Sequence, residues 1–365
     1  MKWILYAIIL SSFFFDLSEV QAQELREFYN GIRGLGMGDT SVAVVNDETA
    51  LALNPAALGK LRDFYGTIFD PELDMGVAAL NMRSAKAYSQ PFTLSDVLPA
   101  AVAVPGDYFH ARGQIFPSFV AKNFGIGILQ KYNIDLVSDA TGTTVNTFYR
   151  DDMAILLGYN FRFWDGRVKV GFTGKVISRI EIDDPALSAT GPLDLPTLGT
   201  NGIAKEGVGI GGDVGLILTA PWTVLPTLSA VLRDVGNTPY DKSPGTRLST
   251  SSARPASSVQ DLDVGISIIP IHKKNLRSSW TVEYRNVMTA STVSDKAKLI
   301  HAGAELNFGD VFFLRTGYSQ RYVTAGFELA SEKFQFQLAT YGEEIGTVDV
   351  PKEDRRYVFK FSFRF

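Results

Sequence analysis

A glycine string and two pairs of neighbouring acids are where this 365-residue chain could do chemistry. Gly34-x-Gly36-x-Gly38 could cradle a phosphate on backbone N–H groups. A dinucleotide loop, however, is spaced G-x-G-x-x-G between a strand and a helix; here the spacing differs and no strand precedes it. Adjacent carboxylates can share acid and base roles once burial drives their pKa values apart, but Asp151-Asp152 and Asp183-Asp184 read as loop positions, where turn duty in solvent is ordinary. His110, His272 and His301 are scattered without ligand spacing, and no acid run has the EF-hand pattern. The absence of Cys removes disulfides, thiolate metal ligands and Cys nucleophiles. No Ser/His/Asp set is legible. The expectation is a protein that is not an enzyme, with no catalytic residue, no cofactor and no metal. Lys+Arg 35 against Asp+Glu 39 leaves a net charge of -4, which gives no basic footprint for nucleic acid.

The two ends of the chain say where such a protein works. Lys2 is a positive n-region, Trp3 to Phe15 is almost uncharged and apolar, and Val20-Gln21-Ala22 offers small residues for cleavage, so residues 1–22 read as a signal peptide. At about 13 residues the apolar run is short of the ~20 that span hydrocarbon as a helix. At the other end Tyr357, Phe359, Phe361, Phe363 and Phe365 alternate with Arg356, Val358, Lys360, Ser362 and Arg364. Period two with aromatics on one face is a strand that presents those rings to one surface. A terminal Phe after alternating aromatics resembles the signal by which bacterial outer-membrane proteins are recognised for assembly, which implies that assembly machinery and membrane lipid are partners.

The same alternation recurs upstream. Phe334, Phe336 and Leu338 oppose Lys333, Gln335 and Gln337; Val323, Ala325, Phe327 and Leu329 oppose Thr324, Gly326 and Glu328; Ile300, Ala302, Ala304, Leu306 and Phe308 oppose His301, Gly303, Glu305 and Asn307; Trp280, Val282 and Tyr284 oppose Thr281, Glu283 and Arg285; and Leu262, Val264, Ile266 and Ile268 oppose Asp263, Gly265 and Ser267. Charges fall on the face away from lipid. Further strands are expected near 314–318, 227–232, 207–219, 167–178, 152–163, 124–133 and 113–122, with two more near 64–69 and 75–82. The tally is about 14 or 15, and because single-chain bacterial barrels take even numbers the expected fold is all-β, a 14-stranded antiparallel transmembrane barrel. Gly207 to Gly212 costs strand propensity and points to bulges or close packing against something inside the barrel. Turns at 307–311 and 331–334 are tight, whereas 182–206 and 236–258 are long and polar, as periplasmic turns and outer loops are. Thr93 to Leu98, bounded by Pro91 and Pro99, reads as a short helix.

Between signal peptide and first strand lies a structured block: Gly31, Leu35, Gly36, Met37 and Gly38, then Ala43, Val44, Asn46, Asp47 and Ala50, then Asn54, Pro55, Ala56 and Leu58. Together with the barrel pattern it resembles the FadL family of long-chain fatty-acid transporters and the related PorV and PorQ outer-membrane proteins. The resemblance implies that residues 23–60 form a partly helical hatch plugging a barrel of residues 61–365. A 14-stranded barrel is too wide for its own side chains to fill, so an occupant of the lumen makes physical sense. Gly34, Gly36, Met37, Gly38, Asn46, Asp47, Asn54 and Pro55 are then structural: glycines for close approach and positive φ, Asn46-Asp47 for a turn, Asn54-Pro55 as a cap with Pro at N1.

The resemblance further implies an outer-membrane channel for hydrophobic, fatty-acid-like molecules, released sideways where an early strand kinks. Pro117, which lacks a ladder N–H, marks the expected gate together with Phe116 and Phe119. The competing reading is a proline near a strand end that forfeits one bond harmlessly. The family's basic residue for the carboxylate has no residue-by-residue match; Arg33 and Lys60 are the nearest candidates. PorV and PorQ imply the alternative, a scaffold or shuttle with protein partners in a secretion system.

Overall fold

The computed structural model describes residues 24–62, 64–81, 92–243, 247, 248, 251 and 253–364. The expected signal peptide and Phe365 lie outside them. Fourteen antiparallel strands close into a barrel. They are β1 (Tyr65–Phe69 continued by Glu72–Gly76), β2 (Tyr108–Ile115 continued by Ser118–Ala121), β3 (Phe124–Ser138), β4 (Thr144–Phe163), β5 (Val168–Ser188), β6 (Lys205–Thr219) and β7 (Thr227–Arg233). The second half is β8 (Asp261–Ile268 continued by Ile271–Lys273), β9 (Leu276–Tyr284), β10 (Ile300–Phe308), β11 (Phe312–Ser319), β12 (Tyr322–Ala330), β13 (Phe334–Glu344) and β14 (Glu353–Arg364). Closure comes from β14, whose Arg364 faces Thr67 and whose Phe359 faces Leu73 of β1. Each of the three interrupted strands breaks at a proline, Pro71, Pro117 or Pro270, because proline brings no N–H to the ladder.

The expected strands near 64–69 and 75–82 are therefore one bent strand and a helix. The chain pairs through Gly76 and then turns helical over Val77–Asn81; Met82 lies outside the described residues. Merging the two leaves the even count that closure requires.

Burial along each strand is the inverse of a soluble protein's. Ile266, Val282 and Val323 are 58%, 58% and 62% exposed, while the alternating Asp263, Glu283 and Glu328 are buried. Only lipid outside and a filled, polar interior reconcile those two faces. At the short-turn end Phe124, Phe163, Trp164, Trp222, Phe308, Phe334 and Phe363 ring the outer surface; Tyr318 and Tyr357 stand nearer the other end. These are the interfacial girdles of a membrane barrel, and the chain is an outer-membrane protein.

The long-loop end is built higher. β4 and β5 run 20 and 21 residues, where ~9–11 suffice to cross a bilayer. Their outer faces beyond the lipid band, including Tyr149, Ile180 and Ile182, are covered by helix Leu94–Val102, Leu198 and Leu248. That helix is the one expected at Thr93 to Leu98, and it continues through Pro99. Asp151-Asp152 and Asp183-Asp184, expected in loops, lie within β4 and β5 because those strands outlast the membrane.

Lipid contact makes a direct prediction. Leu338→Arg, on the outer face midway along β13, should destabilise the barrel by roughly 2–4 kcal/mol, read as a lower urea midpoint for folding into phospholipid vesicles. An unchanged midpoint would reverse the assignment of faces.

Candidate functional site in the lumen and the barrel wall

The segment from Glu24 to Lys60 lies inside the barrel, and its local chemistry explains its shape. Asn54 accepts the Ala56 N–H at 3.0 Å with Pro55 at N1, starting the 3-10 helix Pro55–Lys60. Asp47 accepts the Thr49 N–H at 3.0 Å, closing a turn, while Asn46 accepts from Arg33. Gly38 takes a φ of 69°, and a Cβ there would sit 2.2 Å from the Ala302 carbonyl oxygen of the wall. The wall yields in turn at glycines. A Cβ on Gly171, Gly303 or Gly317 would lie 2.1 Å from the backbone at Pro55, Met37 or Gly38, and one on Gly215 would lie 2.2 Å from the Asn54 side chain. Gly36 meets Gly326 in the same way, Gly34 packs beneath the Thr40 carbonyl, and Met37 is fully buried.

Two different kinds of contact hold this segment. Toward β8 to β14 they are charged and polar. Arg33 pairs with Glu305 at 3.0 and 2.8 Å, Ser41 and Ala43 donate their N–H groups to Glu283 at 3.0 and 3.2 Å, and Arg364 reaches Glu48 at 2.8 Å. Toward β2 to β6 apolar packing is added, with Tyr29, Leu51, Leu53 and Leu58 against Phe116, Val120, Leu129, Leu156 and Ile177, beside polar bonds such as Lys131 to the Glu27 carbonyl at 2.8 Å and Thr173 to the Leu51 carbonyl at 2.9 Å. The glycine-rich start of β6 is close-packed as its composition implied, against Thr238 to Tyr240 of the following loop, which folds inward.

A cavity of about 520 Å³ lies on the long-loop side of the segment, lined by Leu25, Phe28, Lys175, Arg233, Val259 and Val293 among others. One of about 490 Å³ lies on the short-turn side, lined by Arg33, Arg62, Ile269 and Phe313 among others. The segment stands between them. Arg33 is committed to Glu305 and Asp47. Lys60 donates to the Ala43 and Val45 carbonyls at 2.7 and 3.3 Å, and loss of hydration, reinforced by Lys169, pushes its pKa down to about 7. Both candidate carboxylate partners are thus already engaged. The acids likewise pair: Asp152 with Arg179 at 2.6 Å and Asp151 with Arg247 at 2.7 Å. His110 sits 2.6 Å from Asp135 with Glu24 nearby, a trio close enough to share an ion, but Glu24 is tied to Arg356 at 2.9 Å.

The expected gate residues fall together at a flaw in the wall. Phe116 faces inward, its ring 5.3 Å from Tyr29. Phe119 faces lipid and stacks on Phe64 at 6.1 Å. Between them Pro117 interrupts β2, directly beside the Asp70-Pro71 interruption of β1. The second proline and Tyr29 were missed in the sequence. Asp-Pro between two short apolar runs was the available signal for a bent strand, and it reads equally as a turn.

No protein-family model matches the sequence, and neither does any curated protein. Solved structures do. The Pseudomonas putida toluene transporter TodX superposes with a TM-score of 0.53 at 14% identity, covering 94% of this chain and 99% of that one. The chain has the FadL-type barrel fold. The Ralstonia pickettii toluene transporter TbuX (TM-score 0.51, 14% identity, 92% and 98% covered) and a Pseudomonas aeruginosa FadL homologue (TM-score 0.51, 11% identity, 92% and 98% covered) share it. FadL-type architecture therefore extends over nearly the whole chain.

The glycine seats are testable. Gly317→Val drives a side chain into the backbone of Gly38, so the lumenal segment should be displaced, seen as new ion conductance in planar bilayers and faster tryptic cleavage at Arg33. Wild-type conductance and cleavage would mean the segment does not depend on that fit.

Proposed function

We propose that this barrel passes small hydrophobic molecules across the outer membrane and releases them sideways between β1 and β2. One observation carries the reading: the paired interruptions at Pro71 and Pro117 lie beside an apolar cluster of the lumen, with Phe116 lying against Tyr29. A solute in the upper cavity meets Phe28, which lines that cavity and packs on the same apolar cluster. From Phe28 the apolar side chains continue through Tyr29 and Phe116 to the wall. Sideways release spares such a solute the charged short-turn cavity, where desolvating Arg33, Arg62 and Arg315 would be costly. The toluene transporters TodX and TbuX share the fold, which supports this solute class.

In the same reading residues 23–60 act as the hatch, residues 1–22 as the export signal, and the outward aromatics of β14 as the recognition strand for barrel assembly. Two placements support the first and last of these roles. The lumenal segment separates two cavities, and Tyr357, Phe359 and Phe363 face lipid.

The chain has no Cys, so a single engineered disulfide tests the exit. Gly66 and Phe119 face one another across the β1–β2 ladder. In proteoliposomes the Gly66→Cys/Phe119→Cys protein should take up toluene or a long-chain fatty acid when reduced and lose at least tenfold in rate when oxidised. Equal uptake in both states would exclude sideways exit. Absence of uptake by wild-type protein, with stable co-purifying proteins, would favour the secretion scaffold.

A further inference from the structure

The β1–β2 flaw ought to leave a buried N–H without a partner. Between the Thr67–Ser118 and Glu72–Gln114 pairings β1 advances one residue more than β2, so the ladder slips there, and Pro71 contributes no donor. Phe116 keeps its N–H, pointed at β1. In hydrocarbon an unpaired N–H is not tolerated, since no water can replace the lost bond.

The acceptor is a side chain. Asp70, 1% exposed, takes the Phe116 N–H on Oδ1 at 2.6 Å, while its Oδ2 lies 3.2 Å from the Lys360 ammonium on β14. One carboxylate thus joins three neighbouring strands at the point where backbone pairing fails. On the far side of β1 the Pro71 carbonyl accepts the Phe361 N–H at 3.2 Å. That contact is of the ordinary backbone kind, so the β1–β14 seam needs no substitute. At the β1–β2 seam the carboxylate of Asp70 stands where a backbone acceptor is missing.

We infer that Asp70 is the latch of the lateral exit, a positioning residue that holds the wall shut by standing in for a backbone carbonyl. The inference rests on the sideways-release reading. A backbone acceptor is fixed by the strand, whereas a carboxylate can rotate away, and Lys360 offers it an alternative partner on the opposite side. Opening then requires one side-chain rotation, with the charge of Asp70 kept neutralised by Lys360 throughout. The Phe116 ring links the latch to the lumen: displacing Tyr29 removes its inner support and frees the segment Ile115 to Pro117 to move.

Asp70→Ala and Asp70→Asn separate the latch from a role in folding alone. Asn keeps an oxygen acceptor for Phe116 and loses the charge facing Lys360. Asp70→Ala should raise uptake of the hydrophobic probe severalfold and accelerate deuterium exchange at the Phe116 amide at least tenfold, both without solute-induced opening. Asp70→Asn should restore exchange protection to within about threefold of wild type. Heat-modifiable migration on gels checks that each variant is a folded barrel; if Asp70→Ala is not, Lys360→Met, which removes the alternative partner, should lower uptake while Phe116 stays protected. Unchanged exchange and uptake in folded Asp70→Ala overturns the latch. Exchange that rises in Asp70→Ala while the oxidised Gly66→Cys/Phe119→Cys pair leaves uptake untouched keeps the clasp on Phe116 but removes the exit it was to guard.

Discussion

Every peptide group of this protein that faces hydrocarbon must find its hydrogen bond within the protein, since lipid offers none. A closed ladder of antiparallel strands meets that demand, and the pairing of β14 with β1 leaves no edge. The constraint also makes the exceptions informative. Three prolines interrupt strands, and where two of them lie side by side a carboxylate replaces the missing backbone geometry. A break that costs a buried bond and is repaired by a charged side chain is an expensive way to build a wall, which is why it bears on function.

The grip on the lumenal segment varies around the barrel. From β8 to β14 the inward residues are charged and interlocked, as in Arg315 with Glu305, and they grip the lumenal segment by directional bonds. From β2 to β6 apolar packing is added to such bonds, as where Leu51 and Leu58 pack on Leu156 while Lys131 and Thr173 donate to the Glu27 and Leu51 carbonyls. Directional bonds fix one position, whereas apolar packing tolerates sliding and repacking.

Much of this was legible in residue order, and the physics explains where it was not. Period-two alternation marked the C-terminal strands because one of their faces meets lipid and the other a polar lumen, so Phe334, Phe336 and Leu338 declared their side at once. The same signal fades in the upper parts of β4 and β5, where covering loops bury both faces, and Asp151 and Asp183 were accordingly read as loop residues. Val77 to Asn81 looked like a strand because short apolar runs carry no decisive period. Asn54-Pro55 and Gly38 announced their cap and turn locally. What hid completely was pairing between distant residues: nothing near Asp70 in sequence shows that it meets Phe116 and Lys360.

The height of β4 and β5 bears on where a solute is first met. At roughly 3.3 Å per residue and a tilt of ~40°, the 21 residues of β5 rise about 50 Å, twice the ~25 Å apolar band of such a barrel. The upper half is a turret clear of the bilayer, with its own greasy masonry in helix Leu94–Val102 and its neighbours. A solute of the class proposed above would therefore meet protein well above the headgroups before it meets the lipid.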